Sequence, residues 1–246
     1  MADVRVGTSG WSYPEWRGPF YPPDTAPARM LEFYGSRFST VEAHATYRRL
    51  PAAAALAKWR EQVPPGFRFA PKAHLGITHR RDLDGVEDRV AAFLAALVPL
   101  GDSLGPVLVS IPHHQPDLDR LDRLLAAFPP PPEGPVTAFE LGPNWYTSEV
   151  IDRLEAHQAT VVVVDGDAEA PPAPLTVGPV AYVRLRRTAY DDDALAAWAD
   201  RLAAVRAGGR DAYVYLKHDA AGDGPRYAGR LAKLLAGSES ESESGR

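Results

Sequence analysis

Glu42, Lys72, Glu140, Arg184 and Arg186 each stand at or near the end of a short apolar run, and these are residue types that can do chemistry. Val-Glu-Ala-His (41–44) closes on Glu42 and His44, Phe-Arg-Phe-Ala-Pro-Lys (67–72) on Lys72, and Ala-Phe-Glu (138–140) on Glu140. Tyr-Val-Arg-Leu-Arg (182–186) carries both arginines, and Tyr-Val-Tyr-Leu-Lys-His-Asp (213–219) ends in Lys217, His218 and Asp219. If the runs are parallel strands, these groups converge at one end of the sheet, where titratable groups gather around ligands. Glu42 and Glu140 are the general acid/base or metal candidates. A carboxylate placed there needs a partner, because unpaired burial is costly. Lys72, Arg184 and Arg186 can be those partners, either in a structural ion-pair network or as an anion-binding cluster. Arg184 and Arg186 point the same way on a strand, since side chains alternate with period two, and two parallel guanidiniums suit phosphate or carboxylate. His44, His79 and His218 follow strands and are the proton partners; His113 and His114 follow the fourth strand, and one of them is expected to face the same end. The first strand runs into Gly-Thr-Ser-Gly-Trp-Ser-Tyr (7–13). There Ser9 offers a donor, and Trp11 and Tyr13, with Trp145, offer an apolar wall for a substrate.

A metal can be assembled on paper from Glu42, His44, Glu140 and His218, but no His-Glu-x-x-His or comparable local motif is present. Gly7-Thr8-Ser9-Gly10 lacks the Gly-x-Ser-x-Gly spacing of a nucleophile elbow. With no cysteine in the chain, disulfides, thiolate catalysis and Cys-ligated zinc are excluded.

The elements that must position these groups are legible. Strand-like runs fall at 4–7, 40–44, 67–72, 107–112, 136–141, 160–165, 180–186 and 211–217. Between most of them apolar residues recur at spacings of three and four, the helical signature: Met30, Phe33, Tyr34 and Phe38; Leu56, Trp59 and Val63; Val90, Phe93, Leu94 and Leu97; Leu118, Leu121, Leu124, Leu125 and Phe128. Pro51 is expected to open the second helix, and Asp191 or Asp192 to cap the helix that Gly208 and Gly209 end. Strand–helix alternation implies parallel strands. Eight units in 246 residues match a single-domain TIM (β/α)8 barrel over 1–236, with an open doubly wound sheet as the alternative. Between 165 and 180 four prolines make a normal sixth helix unfavourable, so a loop or short turn is expected there. The Ser/Glu tail, 237–246, is expected to be disordered.

The net charge of −5 includes −2 from the tail (three Glu, one Arg), which leaves −3 on the domain and gives no global support to nucleic-acid binding. The N-terminus carries no signal-like apolar run and no stretch approaches membrane-spanning length, so a cytoplasmic protein with no membrane partner is expected.

Much of the chain resembles the YecE-like family, also called domain of unknown function 72. The resemblance begins at Gly-Thr-Ser-Gly-Trp-Ser-Tyr-Pro-Glu-Trp-Arg-Gly-Pro-Phe-Tyr-Pro (7–22). It continues through 40–47, 67–72, Ile-Thr-His (77–79), 104–112, 138–140, Asn-Trp-Tyr (144–146), 182–185 and 213–216. The family likeness implies a TIM barrel and no particular reaction. Positions that keep the family pattern are Glu42, Thr46, Lys72, His79, Glu140, Trp145 and Arg184. Departures are His44 for Asn, Ser110 for Gln, Gly142 for Arg, Arg186 for His, and Lys217-His218 for Asn-Asn, which describes a divergent member. On that comparison Arg186 is expected to substitute for the cation missing at Gly142.

Together these readings describe an enzyme on a small-molecule or nucleotide-like anionic substrate, phosphorylated ones included, at the C-terminal mouth of the barrel. Hydrolysis is preferred because no nucleotide-cofactor motif appears; the cofactor is unknown. The alternatives are a divalent-metal hydrolase or isomerase and a non-catalytic nucleic-acid-binding or regulatory barrel.

Overall fold

The computed structural model describes residues 2–112, 115–168 and 174–244, with side chains as far as 237. Among the described residues there are eight strands: β1 Val4–Thr8, β2 Thr40–Ala43, β3 Arg68–Pro71, β4 Val107–Ser110, β5 Thr137–Glu140, β6 Thr160–Asp165, β7 Ala181–Leu185 and β8 Ala212–Leu216. Every ladder is parallel. Six strands form a curled sheet in the order β1-β8-β7-β6-β5-β4, and β2 and β3 pair separately. Single bridges join the two sheets, from Ser9 to Glu42 on one side and from Phe69 to Leu104 and Lys72 to Leu108 on the other.

The α-helices are α1 Met30–Gly35, α2 Ala45–Arg48, α3 Ala53–Glu61, α4 Leu75–Thr78, α5 Val86–Leu97, α6 Leu118–Ala127, α7 Ser148–Ala156, α8 Asp192–Ala207 and α9 Asp223–Ser244. Their starts are set by side-chain caps where the sequence supplies them: Asp117 accepts from Arg120 N, Thr147 from Val150 N and Asp191 from Ala194 N. Pro51 lies one residue before the Ala52 cap of α3, not at its first turn. Among the described residues no helix lies between β6 and β7, and 169–173 fall outside that description. The backbone of the Ser/Glu tail continues α9 to Ser244, where composition predicts disorder; extending a helix already packed through Leu231 and Leu235 requires no new nucleus. No described helix is long and apolar enough to cross a membrane.

Strand alternation builds two packed layers. Val41, Val107, Val109, Phe139, Val161, Val163, Val183, Val214 and Leu216 face the helices. Ala70, Leu108, Ala138, Val162, Tyr182, Tyr213 and Tyr215 make a separate cluster on the other face. Large rings on β7 and β8 meet small side chains on β3 and β5, which lets the curled sheet fill its own concavity. Thr40 Oγ1 and Tyr215 OH lie 2.8 Å apart, tying β2 to β8 across that space. Gly7 permits β1 and β2 to approach: a Cβ there would lie 2.0 Å from the Thr40 carbonyl oxygen.

Candidate functional site

Residues at the C-terminal strand ends meet around Glu42, which is fully buried. Its carboxylate receives five donors: Ser9 Oγ at 2.9 Å, Tyr182 OH at 2.8 Å, Arg184 Nη2 at 2.8 Å, Arg186 Nη2 at 3.5 Å, and His44 Nε2 at 2.6 Å. A carboxylate only accepts, so the His44 proton sits on Nε2. Burial alone would raise the Glu42 pKa. The Arg184 charge and the hydrogen bonds from His44 and Tyr182 outweigh it and hold the group well below the usual carboxylate range.

Arg184 is the hub. It lies on β7, and its two Nη atoms bond Glu42 and Glu140. Burial would lower its pKa, but the two carboxylates raise it further, so the guanidinium stays charged. Its Nε–H is buried without a protein partner. Glu140 ends β5 and also accepts from Ser110 Oγ on β4. It stays partly exposed, at 18% of its side chain.

Lys72 follows β3 and is half-buried, its Nζ 4.7 Å from the centre of the Tyr47 ring. Burial lowers the Lys72 pKa; Glu140 opposes this and the Arg184 charge adds to it. Tyr47 OH and His79 Nε2 lie 3.0 Å apart, and His79 Nδ1 is 2.7 Å from Thr78 Oγ1. On the opposite side, Tyr13 OH donates to the Ser9 carbonyl, and the ring stacks on His218 at 3.8 Å. Burial and the nearby Glu42 and Glu15 push the Tyr13 hydroxyl up to about 12. His218 Nε2 pairs with Glu15 at 2.8 Å.

A family model described as "protein of unknown function DUF72" matches residues 5–245. The chain belongs to this family. Among curated DUF72-like relatives, UPF0759 protein YecE of Escherichia coli K12 is 30% identical over 109 residues, 44% of this chain and 38% of that protein. UPF0759 protein YunF of Bacillus subtilis 168 is 32% identical over 115 residues, 44% of this chain and 40% of that protein. The matched stretch is thus well under half the length of these curated relatives. A crystal structure of a DUF72 family protein from Thermotoga maritima MSB8 superposes with a TM-score of 0.82 at 23% identity, covering 95% of this chain and 99% of that one. One from Enterococcus faecalis V583 gives 0.78 at 20% identity, covering 95% of each chain. At these identities the likeness is one of fold.

The structure therefore brings together Ser9, Glu42, His44, Arg184, Arg186 and Glu140. Lys72 and His79 stand beside them through Tyr47, and Tyr13 and His218 form a neighbouring pair. Trp11 is placed elsewhere. It packs edge-on against Trp59 at 4.8 Å and lies near Phe69 in the helix-facing core, so it forms no wall for a substrate. Trp145 is also fully buried in that layer. Both aromatics follow turns that fold them back under the helices. His113 and His114 lie outside the described residues. His157 caps α7, its Nε2 2.7 Å from the Phe128 carbonyl oxygen. Among the described residues no three His, Asp or Glu side chains group as metal ligands. The reason is visible in the hub: Arg184 occupies the position between Glu42 and Glu140 that a cation would take, and His218 turns to Glu15. Tyr182, Tyr47 and Glu15 are participants the sequence reading passed over, and Ser110, noted there only as a departure from the family pattern, bonds Glu140. Tyr182 had a signal, since it lies two residues before Arg184 and so shares its face; Glu15 had none.

Proposed function

We propose that the two sheets form one closed (β/α)8 barrel, and that its C-terminal mouth is an active site for an anionic substrate, phosphorylated compounds included. Closure is supported by the bridges at both seams and by the Thr40–Tyr215 contact across the interior. The anion reading is carried by one observation: the cluster holds more donor capacity than its carboxylates use. Lys72, Arg184 and Arg186 face Glu42 and Glu140, three cations against two carboxylates. Arg184 keeps an unpaired Nε–H, and among the described residues the Arg186 side chain makes only the 3.5 Å contact with Glu42. Arg186 is the anchor for the anion, because Arg184 is committed to two carboxylates. It reaches the same cluster that a cation at Gly142 would serve, at the end of β5.

Glu42 is fully buried and its Oε1 alone meets Ser9, His44, Arg184 and Arg186, so its role is to set the guanidiniums. Glu140, partly exposed, is the carboxylate within reach of a substrate and the candidate general base or acid. Hydrolysis remains the preferred reaction. The nucleic-acid reading gains no support from the overall charge, which is −5. The test is calorimetric titration with inorganic phosphate and a small phosphate monoester. Saturable binding that Arg186→Ala abolishes, in a variant as stable as the parent, supports the site; absence of binding, or binding indifferent to Arg186→Ala, removes it.

A further inference from the structure

We propose that Lys72 is an imine-forming nucleophile, so that the substrate of this site carries an aldehyde or ketone carbonyl as well as its negative charge. This rests on reading the strand ends as a substrate site, and it assigns the substrate's reactive group.

A lysine serving only as a counter-ion sits within ion-pair distance of a carboxylate. Lys72 does not: among the described residues its ammonium makes no salt bridge and no hydrogen bond, and its one close contact is the face of Tyr47. The two carboxylates nearest in the cluster are already committed, Glu42 to five donors and Glu140 to Ser110 and Arg184. A ring face holds an ammonium more weakly than a carboxylate does. The Arg184 guanidinium lies on the same side of the cluster and repels it. Half-buried beside a fixed cation, with no anion in contact, this amine sheds its proton more readily than a surface lysine. Burial acts most strongly in that direction; the Glu140 charge opposes it, and the Arg184 charge adds to it.

Proton carriers are in place. Lys72 is only half-buried, and the hydroxyl of the Tyr47 ring it overlies is hydrogen-bonded to the exposed His79. Glu140 offers a second carboxylate on the cluster side. The step balances without a redox partner. The neutral amine's electron pair attacks the carbonyl carbon, forming C–N as the C=O π pair moves to oxygen. A proton passes from nitrogen to that oxygen, giving the carbinolamine. A second proton delivered to the hydroxyl lets it leave as water, and the nitrogen pair forms C=N. Arg186 holds the anionic end of the same molecule meanwhile.

The chain has four lysines, Lys58, Lys72, Lys217 and Lys233, and the exposed Lys58 and Lys233 serve as internal controls. The full chain is incubated near neutral pH with cyanoborohydride and, in separate arms, glycolaldehyde phosphate, pyruvate and acetaldehyde, and labelling is mapped by peptide mass spectrometry. Each pH unit by which an amine titrates below its ordinary value raises its neutral fraction about tenfold at fixed pH. Lys72 is therefore expected to be labelled faster than Lys58 and Lys233 with the anionic carbonyls. Labelling should rise with pH to a midpoint below the ordinary lysine value, and Lys72→Arg, in a variant as stable as the parent, should remove the fast-labelled site. Labelling spread evenly over the four lysines of the unmodified protein overturns the proposal, and needs no variant to fold. Saturable phosphate binding with no preference for Lys72 defeats the imine and leaves the anion site standing. Preferential labelling by acetaldehyde in a protein that does not bind phosphate keeps the imine and defeats the anion site.

Discussion

Replacing Glu42 with Gln removes one charge from the centre of the cluster while nearly preserving shape. The amide oxygen can stay at the Oε1 position, keeping its acceptor for Ser9, His44 and Arg184; the amide nitrogen then meets Tyr182, whose hydroxyl can turn to accept. What is lost is the negative charge facing Arg184 and Arg186. Breaking a buried ion pair from one side costs ~3–5 kcal/mol. Arg184 keeps Glu140, so the lower end, ~3 kcal/mol, is expected for Glu42→Gln. In a chain of this size that lowers Tm by ~6–12 °C. The pH dependence separates charge from shape. Glu42 titrates well below the usual range in the fold, so its contribution is present above the unfolded value and is lost as pH falls through the folded one. Below pH ~4.3 the unfolded chain takes up a proton that the native state refuses, at ~1.4 kcal/mol per pH unit. The difference between parent and Glu42→Gln, measured by urea unfolding, should therefore be constant from pH 7 to about 5 and shrink by ~2 kcal/mol at pH 3. A difference under ~1 kcal/mol at pH 7, or one unchanged at pH 3, would refute the reasoning, because either result means the charge is not held in a buried pair.

Three further outcomes follow from the same geometry. Trp11→Ala should cost ~3–5 kcal/mol in chemical unfolding through the cavity it leaves beside Trp59, while the folded variant binds phosphate as the parent does; a specific loss of binding would return Trp11 to the site. Gly7→Ala should destabilise by ~3 kcal/mol, because the new methyl meets the Thr40 carbonyl at 2.0 Å and the Tyr34 hydroxyl at 2.9 Å, and a neutral result by thermal melting would mean β1 and β2 are not held that closely. Tyr13 and Tyr146 are both pushed up to about 12, mainly by burial. Their raised folded values mean stability is intact below the unfolded value near 10 and is lost as pH rises through about 12. Absorbance at 295 nm should show neither residue ionised in the native state at pH 10, and two fewer protected tyrosines in Tyr13→Phe/Tyr146→Phe; full ionisation of both by pH 10 would count against their burial.

Much of this was written locally in the chain. The strand positions and most helix faces follow from alternation and from spacings of three and four, because those periods record which side of each element is buried. The strand-end residues Glu42, Lys72, Glu140 and Arg184 could be named for the same reason: a charged residue closing an apolar run needs something at that edge. Local pattern misled where a tertiary neighbour decided the outcome. Trp11 reads as a free aromatic after a glycine turn, yet the approach of α3 buries it.

The pairing inside the site lies beyond local sequence altogether. Arg184 meets Glu140 and Glu42 across 44 and 142 residues, and His218 meets Glu15 across 203. Which cation settles between two carboxylates, and which is left over, depends on how far the sheet curls and on which strands become neighbours. The sequence by itself determined that charge would collect at the strand ends, since period-two alternation leaves it nowhere else to go. Only the tertiary structure decided that Arg184 would be consumed as the link between Glu42 and Glu140, while the Arg186 side chain keeps one 3.5 Å contact with Glu42 and Lys72 lies over the Tyr47 ring.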